Sequence, residues 1–201
     1  MHRTIAATAT AAVFLSTFIG VLHADIVQVG EFDSQQFEGF EGSEMVSFKT
    51  GEIDAFGGMA TMFRAGQGSK KFKILDSAYR IDPYEGDRMF VSNKSSIGLR
   101  FENGQHSIGG FFAAKARRHE VEVQFFSGDE RVGTGTLITP DDKSWAWNGW
   151  HSDQEFDRVE ISSNNAYLMH DAIRVMGTEV PAPGGMALML GGMLTIARRR
   201  R

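Results

Sequence analysis

From His119 to Phe125 the chain alternates, with Val121, Val123 and Phe125 set between Glu120, Glu122 and Gln124. A period of two puts one set of side chains on a buried face and the other in water, so the run predicts a half-buried β-strand. Asp157-Arg158-Val159-Glu160-Ile161 repeats the pattern on a shorter scale. Further strands are predicted over 26–32, 44–49, 59–64, 71–75, 97–102, 107–113, 131–138, 144–148 and 166–176. Turn signals separate them: Glu41-Gly42-Ser43, Asn103-Gly104, Ser127-Gly128-Asp129 and Pro140-Asp141-Asp142. Many short strands about a dozen residues apart predict an all-β fold, a single β-sandwich or jelly roll. No segment has a long amphipathic helical period, and only 77–90 is ambiguous between helix and strand. The body contains no internal repeat, so residues 25–179 are read as one domain.

The two ends follow a different pattern. After Met1-His2-Arg3 the run from Ile5 to Val21 carries no charge and has no amphipathic period, and Leu22-His23-Ala24 precedes the first acid, Asp25. A short basic start, an apolar stretch and a small residue form the layout of a secretory signal peptide over 1–24, with Ala24 as the residue before the cut. Its implied partners are the export machinery and a signal peptidase. At the other end, Val180-Pro181-Ala182-Pro183 leads into an uncharged, Met- and Leu-rich run over 184–197 and then Arg198, Arg199, Arg200 and Arg201. Fourteen uncharged residues fall short of the ~20 of a full membrane span. A thin bilayer accommodates a shorter helix, with the arginines held on the cytoplasmic side; a surface-lying amphipathic tail is the alternative.

These three C-terminal parts resemble the PEP-CTERM sorting signal, which consists of a Val-Pro-Glu-Pro-like motif, a short hydrophobic helix and a terminal arginine cluster. Ala182 stands where the usual motif has Glu. The resemblance covers 180–201 and implies handling by an exosortase, a membrane-embedded processing protease. The protein would be tethered by its tail before processing, then released to the cell surface or extracellular matrix. The stretch from Gly109 to Val175 is also similar to the second half of a domain often found ahead of such tails. The matching features are Gly109-Gly110-Phe111-Phe112, the Val-rich strand from Val121, Trp147-Asn148-Gly149-Trp150, Phe156 to Ile161, and Asp171-Ala172-Ile173-Arg174-Val175. That resemblance implies a jelly roll like those of carbohydrate-binding modules.

Charge and composition narrow the function classes. The chain has 201 residues and a formal net charge of −4, but five of its basic residues lie in the two ends, leaving 25–179 at −9. A domain this acidic repels a phosphate backbone, which argues against nucleic-acid binding. With no cysteine there is no disulfide, thiolate nucleophile or Cys-containing zinc site. His106, His119, His151 and His170 show no metal-ligand spacing. His151-Ser152-Asp153 has the letters of a triad, but consecutive residues cannot converge as one. No Gly-x-Ser-x-Gly elbow occurs. Gly66-Gln67-Gly68 and Gly133-Thr134-Gly135 do not open helices as phosphate loops do. The reading is therefore a non-catalytic domain.

Two groups of residues remain as candidate sites. Trp145, Trp147 and Trp150, with Phe156, form an aromatic cluster that suits stacking against sugar rings. By strand parity Trp145 and Trp147 are expected between the sheets, leaving Trp150, in a glycine-containing loop, as the best platform. The second group is a possible structural Ca²⁺ site built from Glu31 and Asp33, with Glu38 and Glu41 nearby, and Asp171 on the last strand. Asp171 shares the parity of Ile173 and Val175, so its carboxylate is expected on the core face, where it needs a cation or a partner. A turn cap, or pairing with Arg174 or Arg158, is the alternative. The functional expectation is polysaccharide binding at a cell surface; a purely structural matrix component and a secreted polysaccharide hydrolase are the alternatives.

Overall fold

The computed structural model describes residues 24–34, 36–48, 51–66, 71–163 and 166–177. The expected leader, apart from Ala24, and the whole sorting signal lie outside them. Within them the chain forms twelve strands: β1 Ile26–Val29, β2 Gln36–Glu38, β3 Ser47–Phe48, β4 Ile53–Ala55, β5 Ala60–Arg64, β6 Phe72–Leu75, β7 Met89–Asn93, β8 Ile97–Ala114, β9 His119–Ser127, β10 Glu130–Thr139, β11 Ala146–Ile161 and β12 Tyr167–Gly177. The all-β class read from the sequence holds. The hydrogen bonding, however, is continuous through one antiparallel twelve-stranded sheet rather than divided between two.

Two long strands join its halves. Ile97–Arg100 of β8 lies between β5 and the Arg158–Ile161 end of β11, which in turn pairs with β9. Further along, β8 lies between the Ala146–His151 end of β11 and β12. The register shifts between His151 and Phe156 and again before Arg158. Bulges of this kind let strands turn a corner from one layer to the other. Asn103-Gly104, expected to be a turn, is part of this crossing, so the predicted strands 97–102 and 107–113 are one strand. In the same way 144–148 and 157–161 join in β11.

The halves pack face to face. Val121, Val123 and Phe125 are buried, as their alternation predicted, and Phe125 meets Trp150 of the opposite half edge to face at 6.1 Å. Phe156 closes the same core against Phe101 and Phe125. Burying each such aromatic side chain stabilises the fold by about 1.5–3 kcal/mol. Ala24, read from the sequence as the last leader residue, is buried and donates its N–H to Val132 O at 2.7 Å.

A smaller core lies on the outer face of the half formed by β7, β12 and the Ala114 end of β8, where Ala78 and Ile81 cover Met89, Val91, Ala113 and Met169. The ambiguous segment 77–90 is thus a covering loop that runs into β7. Tyr79 and Arg80 have φ of 56° and 68°, incompatible with a helix, and Ala78 and Ile81 exchange backbone hydrogen bonds.

Candidate functional site

On β11, Asn148 and Trp150 point inward and are buried, so Trp147 falls on the outer face. Trp147 pairs with Phe111 of β8, and Gly149 with Gly109. These two glycines form a floor for the indole. A Cβ on Gly109 would lie 2.4 Å from Trp147 Cζ2, and one on Gly149 would lie 2.7 Å from Nε1. Only residues without side chains let the ring lie down on the sheet. Trp147 Nε1 donates to Val29 O at 3.1 Å, which fixes the ring in its plane.

Other rings extend the surface in both directions. Phe32 meets Trp147 edge to face at 5.4 Å, and Phe111 meets it at 5.3 Å. Tyr84 stacks on Phe111 with centroids 3.5 Å apart and planes 12° apart. Trp145, half-buried, approaches Tyr84 at 6.3 Å and donates Nε1–H to Asp82 O. The result is a strip of five aromatic rings, in which Phe111 is buried beneath Tyr84 and Tyr84 is 43% exposed. The Arg174 guanidinium sits 5.6 Å from the Trp147 ring centroid and donates to Glu31 Oε1 at 2.8 Å. It lies over the ring and also donates to Phe32 O at 3.1 Å, so the most open ring of the strip is that of Tyr84.

A bulge in β12 completes this face. Its register shifts between Asp171 and Arg174, and Ala172 takes φ 49°, a conformation costly for a residue with a Cβ. Inserting a residue here breaks the parity on which the sequence reading relied. Ile173 and Val175 face the main core, whereas Asp171 pairs with Phe111 on the outer side, beneath the covering loop. Its Oδ2 accepts the N–H groups of Tyr84 at 2.7 Å and Glu85 at 3.1 Å, and Oδ1 accepts that of Ala172 at 2.7 Å. Burial pushes the carboxyl up to about 6, against the opposing effect of these amide hydrogen bonds.

The expected sites are rearranged accordingly. Trp150 is 2% exposed and packs on Phe112 and Phe125, so it belongs to the core and is not a platform. Trp145 and Trp147 lie on the outer face rather than between the halves. The expected calcium ligands are not assembled: Glu31 pairs with Arg174, Asp171 is capped by backbone amides, and Asp33 is exposed. Glu38 accepts the N–H groups of Phe40 and Phe56, and Glu41 those of Asp87 and Arg88. Among the described residues no three His, Asp or Glu side chains are placed to hold a metal.

The residues of His151-Ser152-Asp153 diverge. His151 is exposed and its Nδ1 bonds Ser107 Oγ at 2.9 Å; Ser152 is buried; Asp153 accepts the Asp25 N–H. Sequence reasoning missed Tyr84 and Phe32, and it named Phe111 and Arg174 without placing either beside the tryptophans. Only the Gly109 and Gly149 pairing, visible once strand register is known, signals where the indole lies.

No protein-family profile matches the chain, and no curated protein matches it. Among solved structures, the K2 cleaved adhesin domain of Lys-gingipain is similar at 16% identity and a TM-score of 0.48, over 70% of this chain and 98% of that one. TmCBM61 in complex with β-1,4-galactotriose is similar at 11% identity and a TM-score of 0.38, over 53% of this chain and 81% of that one. A family 11 carbohydrate-binding module from Clostridium thermocellum, in complex with a β-1,3-1,4-mixed-linked tetrasaccharide, is similar at 10% identity and a TM-score of 0.35. That match covers 77% of this chain and 96% of the other.

Proposed function

We propose that the chain is an exported surface or matrix protein whose jelly-roll-like domain binds a neutral polysaccharide without cleaving it. The observation that carries this reading is the outer aromatic strip, with Trp147 held flat on its glycine floor and Tyr84 exposed at the edge. A pyranose presents C–H groups on its faces, which pack against aromatic rings, and hydroxyls at its rim, which suit the half-exposed Glu31 carboxylate. Rings held before the ligand arrives spare the entropic cost of ordering them on binding. The acidic body favours uncharged over anionic polymers.

The ends support a destination for this activity. The leader-like 1–24 and the tail, with Val180, Pro181, Ala182, Pro183 and Arg198 to Arg201, fit export followed by exosortase processing at the membrane.

The test is retardation of the full chain in native gels containing neutral polysaccharides, with bovine serum albumin as the reference. Retardation that is lost in Trp147→Ala and Tyr84→Ala supports the proposal. No retardation of the parent relative to albumin in any polymer overturns it in favour of a passive structural role, equal retardation of parent and variants overturns the strip as the site, and release of reducing ends would instead identify a hydrolase.

A further inference from the structure

Tyr79, in the covering loop, packs on the same small outer core as Trp145, and around it the surface changes its charge. Of the five lysines among the described residues, Lys73, Lys94, Lys115 and Lys143 gather about two tyrosines, and only Lys71 is not placed there. Tyr79 and Tyr167 meet edge to face at 5.3 Å. Lys115 Nζ lies 4.6 Å from the Tyr79 ring centroid and 5.0 Å from that of Tyr167, and Lys94 Nζ lies 5.2 Å from the latter. Lys143 Nζ donates to Tyr79 O at 3.4 Å. Lys73 lines a cleft of about 210 Å³ that shares Tyr79 and has an apolar wall of Leu75, Ala78 and Val91. Asn93, also on the cleft, pairs with Tyr167 across the strands.

The domain is acidic, at −9 over 25–179, yet none of these four lysines forms an ion pair among the described residues. Asp142, beside Lys143 in the chain, turns its Oδ1 to the N–H and hydroxyl of Ser144. The residues outside the described ones contain a single acid, Glu179, and the described chain ends at Gly177, at the opposite end of β12 from Tyr167. Those strand ends are roughly 30 Å apart at ~3.3 Å per residue. The Lys94 and Lys115 ammonium groups share one ring, so their charges repel at a range that physiological salt screens only in part. An anion set between them relieves that repulsion and accepts a charge-assisted hydrogen bond from each.

We infer that this patch is a second binding site, which takes an acidic sugar, a uronate or a sulfated residue, with its anionic group held by Lys94 and Lys115. The sugar's C–H face packs on Leu75 and Val91, and Lys73 and Asn93 supply donors to its hydroxyls. A cleft smaller than the ~300–1,000 Å³ of small-molecule sites accepts one residue of a longer chain. The patch reverses, within a Debye length, the charge that disfavours anions over the rest of the body. It shares no residue with the aromatic strip, so either site can fail without the other. A molecule with both would cross-link neutral and acidic polymers.

The experiment is calorimetric titration of the full chain with a galacturonate trimer, with a short dextran sulfate and with neutral dextran of the same length. The expected result is saturable binding of at least one of the two anionic sugars, and which of them binds names the acid group. Raising sodium chloride from about 50 to about 500 mM should weaken it. Replacing both lysines, Lys94→Gln with Lys115→Gln, should weaken it by about tenfold or more, while retardation by neutral polysaccharide stays that of the parent. Trp147→Ala should bind the anionic sugar as the parent does. Should the double variant fail to fold, Lys143→Gln, altered at an exposed side chain, replaces it and is expected to bind more weakly. No saturable binding of either anionic sugar, undiminished binding by a folded variant, or equal binding of neutral dextran by Trp147→Ala overturns the inference. Salt-sensitive self-association of the parent in sedimentation, lost in the double variant and without sugar binding, overturns it in favour of a second copy as the occupant.

Discussion

The Asp171 carboxylate accepts the backbone N–H of Tyr84 at 2.7 Å, so a bulge in the last strand holds the loop that carries the most exposed ring of the strip. Replacing Asp171 with Ala leaves the amides of Tyr84, Glu85 and Ala172 without their acceptor. Hydrogen bonds to a charged group are worth about 1.5–3 kcal/mol each, partly regained here as water reaches the loop. Asp171→Ala is therefore expected to lose about 2–3 kcal/mol in urea unfolding and to bind polysaccharide more weakly, because Tyr84 is no longer fixed on Phe111.

His170 and Asp171 respond to acid in opposite senses. His170 is fully buried between Phe90 and Phe112, and burial lowers it to about 3. As pH falls below the ordinary histidine value the unfolded chain takes up a proton first, so this stability is present above pH ~6.5 and is lost toward pH 3. Asp171, raised to about 6, keeps a proton in the folded state that the unfolded chain has released. Its contribution is greatest below pH ~4 and declines as pH rises through 6. The histidine displacement is the larger, so of the two groups it governs the net effect of acid. Between pH 6.5 and 4.5 the parent should lose about 2–3 kcal/mol relative to His170→Leu, at ~1.4 kcal/mol per pH unit. Urea titrations of both proteins across that range measure it, and parallel pH profiles would refute the assignment.

Gly109 supports the strip without touching solvent chemistry itself. A methyl group there would lie 2.4 Å from Trp147 Cζ2, so Gly109→Ala must lift the indole off the sheet. Overpacking of this kind costs roughly 1–3 kcal/mol, and the fold survives it because the ring lies on the outer face. Polysaccharide retardation should fall to that of Trp147→Ala, while far-ultraviolet circular dichroism stays that of the parent. Retained binding would show that the flat indole is not the platform.

These relationships explain what was legible in the sequence. The alternation from Glu120 to Phe125 is a local signal, and the structure follows it residue by residue. Parity failed at Asp171 because the bulge at Ala172 inserts a residue, and nothing in Asp171-Ala172-Ile173 marks an alanine that takes a positive φ. Gly149 resembled a break after Trp147, yet β11 runs straight through it and puts Trp147 and Trp150 on opposite faces. Asn103-Gly104 carries a turn composition, but packing of the two halves draws it into the crossing of β8. Tyr84 reaches Phe111 only through tertiary contact, which has no periodic trace in the chain.

The tryptophans give the sharpest contrast. Trp150 fills the space between the halves, against Phe112, Phe125 and the backbone of Gly135, whereas Trp147 rests on the outside. Removing a buried tryptophan loses its transfer free energy and leaves a cavity, so Trp150→Ala should cost about 3–5 kcal/mol. Trp147→Ala removes a half-buried ring and should cost about 1–2 kcal/mol while abolishing retardation by polysaccharide. Denaturation midpoints and affinity gels on the same two proteins test both halves of the statement. Stability should follow Trp150, and binding should follow Trp147. The reverse pattern would exchange their roles and restore Trp150 as the platform.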